Sequence, residues 1–257
     1  MRRPRHRERR VTFLARWREP PPVRLNDAAV YNERAESWWS DDDPYFAQLR
    51  AMVRPRLSFL SRHALPLTGV RVLDVGAGGG LLAVELAARG AWVVALDIAP
   101  RALRAARAEA TRRQLALPAV VADGERIPLR DASFDVVVCA DVLPHVVDKP
   151  PLLDELARLV APGGKLYVAT MNRTALARFV LITLGEDVLG LVPRGTHVAE
   201  KFITPAELAD EMAARGLALG VVEGVGPVGF NRKGPIFGRS PTQAIMYHAL
   251  FTRAAVA

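Results

Sequence analysis

The stretch "VLDVGAGGGLLAVELAARGAWVVALD", Val72 to Asp97, decides the fold. A short apolar run ends in a glycine cluster, a segment with helical spacing follows, and a second apolar run ends in an acid. Apolar runs of this length, rich in valine, read as strands buried on both faces, and "LLAVELAARG" reads as a helix between them. Gly90 closes that helix, because the residue after a helical C-terminus commonly adopts a left-handed conformation that glycine accepts without strain.

The same alternation continues downstream. "PAVVAD" reads as a third strand, "FDVVVCAD" as a fourth behind the turn "RDAS", and "GKLYVATMN" as a fifth. The basic, exposed helix "PRALRAARAEATRRQ" lies before the third strand. The helix "PPLLDELARLV", ended by "APGG", lies before the fifth. Strands alternating with helices imply an α/β fold, a doubly wound, Rossmann-like sandwich with a mostly parallel sheet and right-handed crossovers. Before this core, Asn26 to Ala64 reads as helical, with Trp38 and Trp39 as core anchors in preference to ligand contacts. After it come an apolar insertion, "TALARFVLITLGEDVLGLVPRG", and a helix whose Thr204, Pro205 and Glu207 form a capping box. "LALGVVEGVGPVGF" and "TQAIMYHALFTRA" then read as an antiparallel terminal pair joined by a loop rich in glycine and proline.

Composition bounds the rest. A chain of 257 residues, 50% apolar and 24% charged, buries one sizeable core. The expected organisation is a basic, disordered arm over 1–25 and a single domain over 26–257, with a helical cap at 26–66 and a lid at 173–203. Nine arginines against Glu8 and Glu19 in Met1–Arg24 account for +7 of the net charge of +8, so the remainder is almost neutral. That balance argues against a nucleic-acid face on the core. The arm lacks the apolar block of a secretory signal, and weak attraction to an anionic membrane is the alternative to a solvated tail. The single cysteine, Cys139, excludes an internal disulfide and fits a reducing compartment. No apolar run approaches the ~18 residues that span a bilayer, so a cytoplasmic protein is expected, with peripheral contact at the inner membrane face as the further option.

In a doubly wound fold, ligands bind beyond the carboxyl ends of the strands. The first strand delivers Gly76, Gly78, Gly79 and Gly80 to that edge, and glycine lets the backbone turn tightly and a ligand approach closely. Asp97 ends the second strand, where a carboxylate accepts from both hydroxyls of a ribose. A dinucleotide site needs G-x-G-x-x-G, and here Leu81 and Leu82 stand where the third glycine belongs. The alternative is an adenosine joined to an amino acid through a sulfonium, which has no phosphate to cradle. Asp123, after the third strand, supports it by offering an acceptor to the adenine amino group. The glycine loop and these two acids, in this order on successive strand ends, point to S-adenosylmethionine.

At the level of motifs, the chain resembles the class I S-adenosylmethionine-dependent methyltransferases, and more closely the O-methyltransferase family of ubiquinone biosynthesis. The residues that carry this are "WW" at Trp38 and Trp39, "VLDVGAGGGLLA", "FDVVVCADVLPHV", "LVAPGGKLYVATMNRT" and "LVPRGTHVAEKFITPAEL". The last block lies outside the shared cofactor core and speaks to the subfamily. The resemblance covers Tyr31 to the C-terminus. It implies O-methylation of a phenolic or catechol hydroxyl on a small aromatic quinol precursor, a class that this family takes in polyprenylated form. It implies cofactor contacts at Gly76, Asp97, Ala140 and an arginine in "VRPRL", either Arg56 or Arg54.

One departure concerns a metal. The family pattern after the fourth strand resembles E-x-x-E-H, whereas this chain has Asp141, Val142, Leu143, Pro144 and His145. Magnesium prefers several oxygen ligands in octahedral geometry, and Pro144 supplies none, so a divalent metal such as Mg is left open. His145 is a candidate base for a phenolic hydroxyl, with a structural loop histidine as the alternative. His197 in "RGTHVAEKF" is a second candidate, or a residue that orders a covering loop. The apolar insertion reads as a lipid lid or membrane contact, against a core helix or dimer surface. Rival functions are methylation of a soluble metabolite at oxygen, nitrogen or carbon, a cofactor-binding scaffold without catalysis, and a nicotinamide oxidoreductase.

Overall fold

The computed structural model describes residues 28–64, 66–190, 194–231 and 234–255. The basic arm expected over 1–25 lies outside the described residues. The chain runs α1 (Ala28–Glu33), α2 (Pro44–His63), β1 (Arg71–Val75), α3 (Leu81–Ala87), β2 (Trp92–Asp97), α4 (Pro100–Arg112), β3 (Ala119–Val121) and β4 (Phe134–Ala140). It continues through α5 (Lys149–Leu159), β5 (Val160–Met171), α6 (Ala175–Ala177), a π-helical segment (Arg178–Val188), α7 (Pro205–Ala213), β6 (Leu217–Asn231), β7 (Gly234–Ser240) and β8 (Met246–Arg253).

One sheet holds these strands in the order β3-β2-β1-β4-β5-β8-β6-β7. The pairs among β3, β2, β1, β4 and β5 are parallel, and β8, β6 and β7 add on antiparallel. The parallel strands are apolar on both faces because helices cover both. Leu73, Val75, Val94, Leu96, Val137 and Cys139 pack with Leu152, Leu156, Leu208 and Met212 of α5 and α7. Val72, Val93, Ala95, Val136 and Val138 pack instead with Phe59, Leu60, Leu82, Leu86 and Leu103 of α2, α3 and α4. Full burial of a valine or leucine side chain contributes about 1.5–3 kcal/mol, so a one-residue register slip, which exchanges the two sets, is strongly opposed.

Local signals in the sequence are realised. Gly90 has φ +87, its N–H donates to Ala87 O at 2.9 Å, and the Ala91 N–H donates to Leu86 O at 3.3 Å, closing α3 with both bonds of a Schellman motif. At α7, the Glu207 N–H donates to Thr204 Oγ1 at 3.2 Å and the Thr204 N–H to Glu207 Oε2 at 2.9 Å, the reciprocal capping box. The N-terminal helical stretch breaks into pieces at Ser40–Asp43. Asp43 caps α2 by accepting the Tyr45 N–H at 2.8 Å, with Pro44 in the first turn.

Two readings need correction. The glycine- and proline-rich loop between the last two expected strands contains β7, which pairs with the far half of β6. β8 pairs with β6 over Leu217–Val225, so Pro227 lies beyond its reach and has only β7 beside it. Its missing N–H therefore breaks no ladder on the open side, and the register shift between Pro227 and Gly229 absorbs the irregularity. "APGG" does follow a helix, but it lies inside the fifth strand, which starts earlier than "GKLYVATMN". β5 begins at Val160, opposite Phe134, and the ladder resumes at Lys165 opposite Val136, leaving these residues as an irregularity inside the strand.

Candidate active site

β1 is flanked by β2 on one side and β4 on the other, so the chain winds away in opposite directions from this pair of gaps. A crevice opens at their carboxyl ends, which is where ligands bind in such sheets. The loop leaving β1 is tied to β2 by the Gly76 and Ala77 N–H groups, which donate to Leu96 O at 2.8 and 2.9 Å. Gly76 and Gly78 have φ +74 and +54, values that a side chain would strain.

The space these glycines leave is filled differently from the sequence expectation. A Cβ at Gly76 would overlap the Val142 methyl group, and Cβ atoms at Gly78 and Gly79 would overlap the Trp38 indole. The missing side chains thus admit residues of this chain, not a ligand alone. Trp38 stacks on Phe46 with centroids 4.0 Å apart and on Tyr31 at 5.9 Å, while Trp39 Nε1 donates to Gly79 O at 2.9 Å. Both indoles grip the loop. Trp38 also lines the cavity below, so it is core anchor and cavity wall together.

Arg56, Gly76, Gly78, Asp97, Asp123, Ala140 and His145 all line that one cavity. Asp97 Oδ2 accepts the Gly78 N–H at 2.7 Å and Oδ1 the Ala99 N–H at 2.8 Å, which fixes the carboxylate and leaves each oxygen further acceptor capacity. Burial raises its carboxyl above the usual range. Asp123 Oδ1 accepts the Glu125 N–H at 3.0 Å. Between the two candidate arginines the structure is decisive on position: Arg56 is 6% exposed and lines the cavity, whereas Arg54 is exposed. Arg56 pairs with Asp141, and its buried Nε has no partner among the described residues. Tyr31 and Asp74 also line the cavity and were not singled out from the sequence. Burial pushes the Asp74 carboxyl up to about 7, an effect that Arg56 partly offsets.

A second cavity adjoins the first and shares Tyr31, Leu49, Asp141 and His145 with it. Its walls are otherwise largely apolar, with Met52, Met171, Leu181, Leu184, Phe237 and Met246, together with Thr196 and His197. Asp141 stands at the junction with φ +59, uncommon for a residue other than glycine, and its N–H donates to Ala169 O at 2.9 Å. The two candidate histidines come together here, ring centroids 5.8 Å apart. Burial, reinforced by His197, pushes the His145 imidazole down to about 4, so it is neutral at pH 7. His197 Nδ1 lies 2.6 Å from Oε1 of Glu186, a buried acid within the apolar insertion that no local sequence signal marks.

The donors do not suit a divalent metal. Among the described residues no three of His, Cys, Asp and Glu converge to hold one. The Asp141 carboxylate is turned onto Arg56, and Pro144 offers no ligand atom.

Residues 73–168 match the family described as a methyltransferase domain. A ubiquinone biosynthesis O-methyltransferase of Xylella fastidiosa is 42% identical over 192 residues, 73% of this chain and 76% of its own length. The protein of the same name from Idiomarina loihiensis is 36% identical over 216 residues, 80% and 88% of the two chains. The chain belongs to the ubiquinone biosynthesis O-methyltransferase family. It is an S-adenosylmethionine-dependent methyltransferase, and its fold is the class I methyltransferase fold. Among solved structures, the magnesium protoporphyrin IX methyltransferase of Synechocystis PCC 6803 with bound SAH shares the fold at a TM-score of 0.62. It has 18% identity and covers 89% of this chain and all of its own.

The buried histidines of this methyltransferase make its stability sensitive to acid. His248, packed against Phe59 and Tyr167, is pushed down by burial to about 3. An unfolded histidine titrates near ~6.5, so below that pH the unfolded chain takes up protons that folded His145 and His248 refuse. Their contribution to stability therefore declines as pH falls from there toward about 4 and about 3. Asp74, raised to about 7, acts in the opposite sense, because its folded form takes a proton first. Calorimetric melting of variant and parent between about pH 7 and about pH 4.5 cancels the Asp74 part, which both proteins share: His248→Gln should lose less Tm on acidification than the parent protein. An equal loss in both would place the acid sensitivity elsewhere.

Proposed function

We propose that this enzyme methylates a phenolic hydroxyl of a ring-hydroxylated quinol precursor that carries an apolar tail. The observation that carries this reading is the junction of two unlike cavities. One is lined by fixed carboxylates and the glycine loop, and the other by methionine, leucine and phenylalanine, and they meet at Asp141 and His145. The names of the relatives favour a ubiquinone-type acceptor.

In this reading the first cavity holds the cofactor. Asp97 accepts from the ribose hydroxyls, Asp123 from the adenine amino group, and the loop at Gly76 and Gly78 and the end of β4 at Ala140 set the walls. The unpartnered Nε of Arg56 and the unpartnered Nε1 of Trp38 are donors for the cofactor's carboxylate end. S-adenosylmethionine supplies a methyl group on a positively charged sulfur. The protein's part is alignment, with the acceptor oxygen held within ~3–3.5 Å of the carbon it attacks. A phenol near pKa ~10 must also lose its proton, and the imidazoles of His145 and His197 stand where the acceptor ring would enter.

The tail would occupy the apolar cavity and leave under the lid. Leu176, Phe179, Val188 and Leu189 are exposed on that lid, in company with Arg178, which suits contact with an anionic membrane surface. Among the described residues no helix is long and apolar enough to cross a membrane.

Transfer of a labelled methyl group to catechols with and without isoprenoid tails tests the acceptor. Turnover of tailless acceptors alone would favour a soluble metabolite instead, a rival supported by the incomplete metal donor set. Asp97→Ala should weaken binding of the demethylated cofactor by about ten- to hundredfold in calorimetry, the worth of hydrogen bonds to a charged group, and an unchanged Kd would remove Asp97 from the site. Phe179→Asp with Val188→Asp should reduce cosedimentation with anionic phospholipid vesicles. Equal recovery of variant and parent would sink the lid contact.

A further inference from the structure

We infer that Glu186 is a positioning residue that makes His197 the base for the acceptor hydroxyl, an inference that rests on the phenolic acceptor proposed above. Glu186 lies in the π-helical segment Arg178–Val188 and is 2% exposed. A carboxylate taken out of water is strongly disfavoured unless its oxygens are hydrogen-bonded. Here Oε2 accepts the Gly195 N–H at 2.9 Å, and Oε1 accepts both the backbone N–H of His197 at 3.0 Å and its ring Nδ1–H at 2.6 Å. Two of the three bonds go to one residue.

The assignment of the ring proton follows from the partner. An ionised carboxylate only accepts, so Nδ1 carries the hydrogen and Nε2, on the far side of the ring, carries a lone pair. The ring is held edge-on to Phe202 at 6.2 Å and belongs to the wall of the apolar cavity. A backbone carbonyl would also have fixed the ring's orientation. A carboxylate adds stabilisation of the positive charge that the ring acquires when it takes a proton. His145, held neutral by burial, places no like charge beside it.

The acceptor O–H bond breaks and its proton passes to His197 Nε2, giving an imidazolium whose charge Glu186 offsets. The electron pair left on oxygen forms the new O–CH3 bond, and the pair of the broken C–S bond stays on sulfur. The imidazolium then returns its proton to water.

Glu186→Gln and His197→Gln in the full chain, assayed on an isoprenyl-substituted catechol and on its nitro-substituted counterpart, test this. The nitro compound is already ionised at assay pH and needs no base. On the ordinary catechol kcat should fall about 10²-fold, the range of general base catalysis, with KM within about threefold. On the nitrocatechol the loss should shrink to about threefold or less. Equal losses on the two acceptors, or none on the ordinary one, would overturn the inference. Nitrogen-15 spectra of histidine in the ligand-free protein give a readout independent of turnover. His197 should be the Nδ1–H tautomer in the parent and lose that preference in Glu186→Gln, and an Nε2–H tautomer in the parent would overturn the dyad. Should Glu186→Gln fail to fold, His197→Gln carries the acceptor comparison. If the parent methylates neither catechol, the acceptor reading falls and the base role falls with it, while the spectra still report whether the dyad exists.

Discussion

The burial of β1 between two strands and two helical layers is the constraint on which the rest of the structure depends. Val72, Leu73 and Val75 are at most 1% exposed, so neither face of the strand can tolerate a slip. The chain therefore leaves the sheet at one place, directly after Val75, and the glycine loop follows from that exit. Its crevice faces β4 because the winding reverses there, and Ala140 and Asp141 emerge opposite the loop. Hydrophobic packing thus decides where the chemistry can occur before any functional residue is placed.

The loop is held from above and from the side by different forces. Trp38 packs over it and Trp39 bonds to it, and the close approach of Trp38 depends on glycine at positions 78 and 79. Asp97 fixes it laterally by accepting the Gly78 N–H, the same carboxylate that would serve a ribose. A group that builds the loop also equips it. Preorganisation of this kind spares a ligand the entropy of ordering the backbone that it meets.

Charge is concentrated where the two cavities meet. Asp74 and Asp141 lie against the buried Arg56, whose guanidinium partly offsets the desolvation of Asp74, while Asp97 is held by the Gly78 and Ala99 N–H groups. The π-helical segment contributes a second, separate arrangement in which Glu186 is satisfied by Gly195 and His197. Polar groups at this density beside an apolar cavity suit a substrate with a hydroxylated ring at one end and hydrocarbon at the other.

What the sequence by itself determined is whatever short-range pattern encodes. The two-faced apolar strands, Gly90 as a helix terminator, the Thr204 capping box and the order of Gly76, Asp97 and Asp123 along successive strand ends are all readable, because each depends on neighbours within a few residues or on the alternation of elements. β7 was hidden because glycine and proline signal a turn locally, while an edge position that excuses Pro227 from the ladder is a property of the sheet. Tertiary packing alone buries Arg56 at the cavity and leaves Arg54 exposed, since both lie on α2. It also decided what occupies the space beside the glycines, and which imidazole meets which acid. Trp38 reaches Gly78, Arg56 reaches Asp141 and Glu186 reaches His197 across distances that no local pattern records, because a contact between distant segments exists only once the packing has brought them together.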